Sequence, residues 1–179
     1  MKTFAFVTAG ALAVGLATSA FAAGGGDTPP KPTKTMTECK TGEVWDEKTK
    51  TCLKKEARAL TDDQRYGAVR ELAYAGEYDR AIAMIDSAQD QTAPRMLTYR
   101  GFTARKLGKM DAAMAFYQSA LEADPDFILA RSYMGQGLMA AGDLAGALAQ
   151  LREIEARGGR ETWAYAALDQ ALRGIPTNY

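Results

Sequence analysis

Apolar residues recur at three- and four-residue spacing from about residue 57 almost to the C-terminus, and Asp, Gly and Pro interrupt the pattern at intervals. This spacing places the apolar side chains on one face of a helix, and the interruptions mark helix ends. The segment Thr61-Asp62-Asp63-Gln64 has the form of a capping box at the first helix start. The pattern predicts seven helices, at about 61–74, 78–89, 94–107, 111–123, 128–140, 145–157 and 160–173.

One segment of this pattern occurs three times. Its copies begin at Gly76, Gly108 and Gly142, so the glycines are 32 and 34 residues apart. A period of this size is typical of stacked helical hairpins. The sequence therefore predicts an all-α fold, a solenoid of three hairpins in which the last helix, with Trp163 on its apolar stripe, caps the final hairpin. An external docking site at Trp163 is the alternative role for this helix.

The first residues have the composition of an export signal. Lys2 is followed by an apolar run over 4–17 and by Ala20-Phe21-Ala22, which has the small residues of a cleavage site. We therefore expect a signal peptide over residues 1–22. A retained membrane anchor is the alternative, but the run is short for a bilayer span, so we expect no stable membrane span after cleavage.

Two short regions separate this signal from the helices. Residues 23–37 are rich in Gly, Pro, Thr and Lys, which predicts a flexible linker. Cys39 and Cys52 follow, and export to an oxidising compartment favours a disulfide between them. Glu43–Asp46 and a segment at 51–53 then pair as short strands, so we expect a disulfide hairpin over 38–56.

Composition narrows the class of function. The chain has 22 Lys plus Arg and 22 Asp plus Glu, and this balance gives no overall attraction for nucleic acid. It has no histidine, the commonest general base and metal ligand, and its two cysteines are the pair expected to form a disulfide. We therefore expect a protein that is not an enzyme and that needs no metal or other cofactor.

The repeats resemble the tetratricopeptide repeat family. In the middle repeat, residues of the type that this family has at each position are Leu97, Gly101, Ala104, Gly108, Ala113, Tyr117, Ala120 and Pro125. The first repeat departs from the pattern at Val69, where the family has a small residue. The resemblance implies a tetratricopeptide domain over 57–179, and the signal sequence together with such repeats indicates an exported bacterial protein of the periplasm. Release into the medium is the alternative.

The resemblance also implies where a partner binds. In this family the first helix of each hairpin lines a concave groove that holds a peptide or a helix of another protein. The corresponding residues here are Tyr66, Arg70, Arg95, Thr98, Tyr99, Phe102, Arg105, Lys106, Ser132, Tyr133, Gln136 and Met139. This groove is basic and aromatic, which favours an acidic or aromatic peptide. A solvated charged face is the alternative for each of its Arg and Lys residues.

The sequence thus predicts an exported adaptor or scaffold that binds another envelope protein in the groove. The alternative is a protein that binds cell-wall or other polysaccharide. Residues 39–52 resemble half of a peritrophin-like chitin-binding module, and an exposed Trp45 would stack on a sugar ring. Packing of Trp45 against the disulfide or the helices is the competing interpretation.

Overall fold

The structure, a computed structural model, describes residue 29 and residues 33–176. The predicted signal peptide over 1–22 lies outside the described residues. Of the predicted linker over 23–37, residue 29 and residues 33–37 are described, and the segment 33–37 is packed against the helical part of the chain. Thr35 is buried, and the Met36 amide donates a 3.0 Å hydrogen bond to Glu71 Oε1. The packed structure therefore includes Thr33 to Thr37, which the sequence assigned to the linker.

The N-terminal part is a small hairpin held by a disulfide, as predicted. A short helix, α1 (Thr35–Glu38), precedes strands β1 (Glu43–Asp46) and β2 (Thr51–Lys54), which pair antiparallel. Cys39 and Cys52 are bonded, with their Cα atoms 5.6 Å apart. The disulfide therefore links the end of α1 covalently to strand β2.

Seven longer helices follow. Their bounds are α2 (Asp62–Tyr74), α3 (Tyr78–Asp86), α4 (Pro94–Lys106), α5 (Met110–Ala123), α6 (Ile128–Ala140), α7 (Leu144–Ala156) and α8 (Trp163–Leu172). Every end lies within three residues of the predicted one. The Thr61 hydroxyl and the Gln64 side chain form the predicted capping box of α2. A 3₁₀ turn at Gly159–Glu161 separates α8 from α7, so α8 begins later than the sequence predicted.

Four helices end in the same way. Gly76, Gly108, Gly142 and Gly174 have φ between +72° and +86°, a left-handed conformation that glycine adopts without strain. At each glycine the next amide bonds back to a carbonyl five residues earlier, for example Lys109 N to Ala104 O at 2.9 Å and Ile175 N to Gln170 O at 3.0 Å. The fourth glycine shows that α8 ends like α2, α4 and α6.

Small residues allow close packing between helices. A Cβ atom on Gly101 of α4 would lie 2.4 Å from the Tyr117 ring of α5, and one on Gly135 of α6 would lie 2.7 Å from Leu168 of α8. The helices pair as α2 with α3, α4 with α5 and α6 with α7, and α8 packs on α6 and α7. The described residues are thus mostly helical, with a single two-stranded sheet.

Hydrogen bonds fix the hairpin to α2. The buried Arg65 side chain donates to three carbonyls of the segment between β2 and α2, those of Lys55, Ala57 and Leu60, at 2.7–3.1 Å. Gln64 Nε2 donates to Asp46 Oδ1 at 2.7 Å. These bonds give the hairpin a defined orientation on the helices.

Among the residues described, no helix combines the length and the apolar composition needed to cross a membrane.

Candidate functional site

Six aromatic rings meet where α2, α4, α6 and α8 face one another. We call this set the ring cluster, and its members are Tyr66, Tyr74, Tyr99, Phe102, Tyr133 and Trp163. Tyr74 stacks on Phe102 with ring centroids 5.5 Å apart, and Tyr133 lies edge-on to Tyr99 at 5.9 Å. Trp163 of α8 lies 6.3 Å from Tyr74 of α2, so the first and the last of these helices touch through their rings.

The hydroxyl groups of the ring cluster bond to one another. Tyr74 Oη and Tyr133 Oη are 2.6 Å apart, and Tyr99 Oη lies 3.4 Å from Tyr133 Oη. Burial raises the pKa of Tyr66, Tyr99 and Tyr133 above the usual value for tyrosine. These phenols are therefore neutral at physiological pH and act as hydrogen-bond donors and acceptors inside the protein.

Four cationic side chains lie over these rings. The Arg70 and Arg95 guanidinium carbons are 5.7 Å and 5.2 Å from the Tyr66 ring centroid. Arg105 Cζ and Lys106 Nζ are 5.5 Å and 5.4 Å from the Phe102 centroid. Cation–π contacts of this length contribute about 0.5–1 kcal/mol each at exposed sites, and more where water is excluded. The rings therefore hold the cations along one side of the cluster.

Arg105 and Lys106 differ from Arg95 in their ion pairing. Arg95 forms an ion pair with Asp63. Within residues 33–176, neither Arg105 nor Lys106 forms an ion pair with a carboxylate. Burial, and then the neighbouring charge of Arg105, lower the pKa of Lys106 below its ordinary value. The two side chains, which we call the cation pair, thus place two adjacent positive charges on Phe102, and no carboxylate of residues 33–176 forms an ion pair with either.

The surroundings of Arg105 fix its position. Arg105 Nη2 donates a 3.4 Å hydrogen bond to Gln136 Oε1. Burial raises the pKa of the Tyr117 phenol to about 12, and the nearby Arg105 charge opposes that rise. Arg105 Nε and Tyr117 Oη are both shielded from water, yet neither completes a hydrogen bond of normal geometry within the described part of the chain. Arg105 is therefore held in place with hydrogen-bonding capacity still unused.

The structure brings most of the predicted groove residues together but buries more than half of them. Phe102 is 1% exposed, and Tyr99 and Tyr133 are fully buried. The buried residues of the predicted set are Tyr66, Thr98, Tyr99, Phe102, Ser132, Tyr133 and Gln136. These side chains offer no surface to a partner in this structure. Tyr74 of α2 stacks on Phe102, and Trp163 of α8 lies against Tyr133. The half-buried members are Arg70, Arg95, Arg105, Lys106 and Met139.

Two buried polar groups of the predicted groove are satisfied internally. Thr98 Oγ1 donates to Pro94 O at 2.7 Å, and Ser132 Oγ donates to Ala164 O at 2.6 Å. Both hydroxyl groups therefore donate their hydrogen bonds within the protein and are not available as donors to a ligand.

Sequence reasoning missed Tyr74 and gave Trp163 a different main role. Tyr74 is half-buried and covers Phe102, and Trp163 is half-buried beside Tyr133. A signal for Tyr74 exists in the sequence, because Tyr66, Arg70 and Tyr74 recur every four residues on one face of α2. No local signal predicts that α8 lies close enough for Trp163 to meet Tyr74.

Trp45 lies at a second candidate site, on the hairpin. Its ring is half-buried, and Lys34 Nζ lies 4.9 Å from the ring centroid. A cavity of about 160 Å³ opens beside it, between the hairpin and α2. Thr33, Glu47 and Gln64 contribute polar groups to the lining of this cavity. Trp45 therefore both packs against the hairpin and borders a space with hydrogen-bonding groups.

In the described part of the chain, no three residues among Asp, Glu and Cys are grouped so that they could hold a metal ion. No protein-family model matches the sequence. No curated protein and no solved structure matches it either.

Proposed function

We propose that this protein is an exported adaptor that binds an acidic segment of another envelope protein at the cation pair. The proposal includes a tetratricopeptide architecture, in which α2, α4 and α6 are the first helices of three successive hairpins, α8 caps the last hairpin, and these four helices line the concave side. The observation that carries it is the pair of positive charges of Arg105 and Lys106 on the Phe102 ring, neither of which forms an ion pair within residues 33–176.

Several features support the architecture. The equivalent glycine ends recur 32, 34 and 32 residues apart, at Gly76, Gly108, Gly142 and Gly174. A small residue lies where paired helices approach each other most closely, as at Gly101. Each hairpin contributes one helix to the ring cluster, which is the side on which this repeat family binds its partners.

The site differs from an open aromatic groove. Because the ring cluster is already packed, aromatic contact with a ligand is limited to the half-buried Tyr74 and Trp163. Binding therefore depends mainly on charge, with Arg105 and Lys106 as donors and their neighbours as supports. A hydrogen bond to a charged group contributes about 1.5–3 kcal/mol, so two such bonds contribute about 3–6 kcal/mol and account for a millimolar to tens-of-micromolar complex.

Export supports the choice of partner. The predicted signal over 1–22 and the disulfide between Cys39 and Cys52 agree with an oxidising compartment outside the cytoplasm. We place the protein in the periplasm, where its partner is another envelope protein.

The test compares Arg105→Gln/Lys106→Gln with the intact protein. Substitution of Phe102 is unsuitable, because loss of a buried ring costs about 3–5 kcal/mol of stability. A matched control is Lys109→Gln/Arg152→Gln, which removes one Lys and one Arg that are exposed and outside ion pairs within residues 33–176.

The measurement is in-cell crosslinking with affinity capture and mass spectrometry, followed by titration of the captured partner's acidic segment. We expect the control to retain the partner and the test variant to lose at least about tenfold in affinity, which corresponds to 1.4 kcal/mol. Added salt weakens the wild-type complex if charge drives it. Equal capture by both variants would exclude the cation pair as the site.

Binding of polysaccharide through the hairpin is the second candidate function. The cavity beside Trp45, with its hydroxyl, amide and carboxylate groups, favours it, since sugars are held by aromatic faces together with polar groups. Lys34 over the ring disfavours it, because the lysine occupies one stacking position.

Removing the whole hairpin does not test this candidate cleanly, because Arg65 and Glu71 of α2 would lose their partners. Trp45→Ala in the full chain is the sharper change. If the hairpin binds glycan, co-sedimentation with purified peptidoglycan or chitin decreases in this variant and stays unchanged in Arg105→Gln/Lys106→Gln. Retained co-sedimentation of Trp45→Ala would exclude Trp45 as the contact.

A further inference from the structure

A second cavity, of about 210 Å³, lies at the junction between the hairpin and the helices, away from the ring cluster. Leu72, Ala83 and Met84 of α2 and α3 line it, and Leu72 and Met84 are almost completely buried. On the hairpin side it is bordered by the segment at 41–43 and by Lys55. The cavity thus has apolar walls formed by two helices and a border formed by the hairpin.

Its border carries both signs of charge. Glu43 and Asp79 supply two carboxylates, and Lys55 and Arg80 supply two cations, so the lining has no net charge. The cations have carboxylate neighbours of their own, since Lys55 Nζ is 2.7 Å from Glu56 and Arg80 Nη1 is 3.9 Å from Glu77. Asp79 makes no hydrogen bond or ion pair with any other residue between 33 and 176. The acidic side of the border therefore has an unused acceptor.

We propose that this cavity binds a small zwitterion with an apolar side chain, of the class of the free aliphatic amino acids. Its ammonium group binds at Asp79 and Glu43, its carboxylate binds at Arg80 and Lys55, and its side chain enters the space beside Leu72 and Met84. A ligand with a single charge engages only one of the two pairs of charges at the border, whereas a zwitterion engages both.

The size of the cavity agrees with this ligand class. Sites for drug-sized molecules typically enclose about 300–1,000 Å³. A volume of 210 Å³ is below that range and restricts the ligand to roughly one amino acid. The walls and the charged groups come from the hairpin and from α2 and α3 together, so the ligand would contact both parts of the protein.

The test is calorimetric titration of the intact disulfide-bonded protein with L-leucine. Two analogues carry one charge each, 3-methylbutylamine and 4-methylpentanoate, and leucinamide keeps the ammonium but lacks the carboxylate. We expect saturable binding of leucine and at least about tenfold weaker binding of all three analogues. Absence of saturable leucine binding, or equal binding of leucinamide, would overturn the proposal; the latter would point to a peptide N-terminus as the ligand.

Three variants locate the site. Asp79→Asn keeps the shape of the side chain, and we expect it to weaken leucine binding at least about tenfold. The matched control is Asp111→Asn, because Asp111 follows Gly108 by three residues as Asp79 follows Gly76, and it lies in the first turn of α5 instead of α3. Ala83→Phe fills the cavity and abolishes binding without removing a charge. Equal loss in Asp79→Asn and Asp111→Asn would contradict the site.

This cavity and the cation pair are tested separately. Arg105→Gln/Lys106→Gln is expected to bind leucine like the wild type, and Asp79→Asn is expected to capture the same envelope partner. Thermal unfolding of each variant, measured without ligand, separates loss of binding from loss of folding.

Discussion

The two ends of the helical part are covered by different kinds of contact. At the N-terminal end the hairpin is bonded to α2 through Arg65, Gln64 and Glu71. At the C-terminal end α8 packs on α6 and α7 mainly through apolar side chains such as Leu168, which is fully buried. The strength of a hydrogen bond depends on its direction, whereas that of an apolar contact depends mainly on the buried area. The orientation of the hairpin on α2 is therefore more narrowly defined than that of α8 on α6 and α7.

The C-terminal cover is also shorter. In the second repeat Met110 and Met114 are half-buried, and Met114 lies close to Gly137 of α6. The corresponding residues of the third repeat are Leu144 and Leu148, which are 53% and 40% exposed. α8 has 10 residues whereas α6 has 13, but the difference lies at its start, because both helices end two residues before their terminal glycine. The comparison shows that equivalent repeat positions are half-buried between the second and third hairpins and exposed beside α8.

Leu168→Ala is the strongest way to break the C-terminal end. It removes a fully buried side chain that contacts Gly135, and we expect a loss of about 4 kcal/mol from the free energy of unfolding in urea. Leu148→Ala is the matched control, with a small effect because the side chain is already partly in water. Similar losses in both variants would mean that α8 does not close this end.

Arg65→Leu breaks the polar cover of the N-terminal end. The change removes the Arg65 donor from the carbonyls of Lys55, Ala57 and Leu60, of which Ala57 O keeps its bond from the Leu60 amide, and we expect a loss of about 3 kcal/mol. Urea unfolding measures it, and hydrogen exchange of the hairpin amides shows where the loss occurs. Arg58→Leu, at an exposed position nearby, serves as control. An unchanged midpoint for Arg65→Leu would show that water replaces the guanidinium without cost.

Replacing Cys39 and Cys52 together by Ser tests whether the hairpin and the helices unfold as one unit. Closure of a loop with a separation of 13 residues stabilises the folded chain by about 3 kcal/mol through the unfolded state. If the two parts are coupled, the helical signal in circular dichroism shifts to lower urea by that amount. A helical transition that does not move would mean that the hairpin unfolds independently.

The pH dependence of the N-terminal end depends on Asp62. Partial burial alone raises the pKa of this carboxyl, but hydrogen bonds from the amides of Gln89 and Asp90, together with Arg65, outweigh it and lower the pKa. A lowered pKa in the folded state stabilises the protein above the unfolded value of about 3.9, and this stabilisation is lost as the pH falls through the folded value.

Asp62→Asn should therefore reduce stability by about 1 kcal/mol at pH 7 and by progressively less as the pH falls below about 4. Urea unfolding of both proteins across this range checks the trend. A difference that grows on acidification would contradict it. Asp111→Asn, at an exposed position in the first turn of α5, should show no such trend.

The smallest expected effect concerns the exposed leucines. Leu144→Ser and Leu148→Ser should each change the free energy of unfolding by less than about 0.5 kcal/mol, because neither side chain is well buried. The same urea measurement applies. A loss above 1 kcal/mol would indicate that this surface is covered in solution.

Local patterns predicted the elements well. Glycines with a fixed period marked the helix ends, and the cysteine spacing together with the β-branched and aromatic residues around Val44 marked the hairpin. These signals act over a few residues, so a single sequence contains them in full.

The candidate site was predicted only in part. Its residues were identified from the helix face they occupy, but their burial depends on how closely α2 approaches α8, through the contact of Tyr74 with Trp163. The distance between α2 and α8 depends on the packing angles of all the helices between them, and no single residue of the sequence predicts those angles. The polarity of the face was therefore predictable, and the accessibility of Phe102 and Tyr133 was not.

The chain has two tryptophans, one in the hairpin and one in the ring cluster. Trp163 lies 6.3 Å and 6.4 Å from the rings of Tyr74 and Tyr133, so light absorbed by these tyrosines is transferred to it and emitted as tryptophan fluorescence. In a Trp45→Phe background, the efficiency of this transfer therefore measures the spacing between α2 and α8 without an added dye.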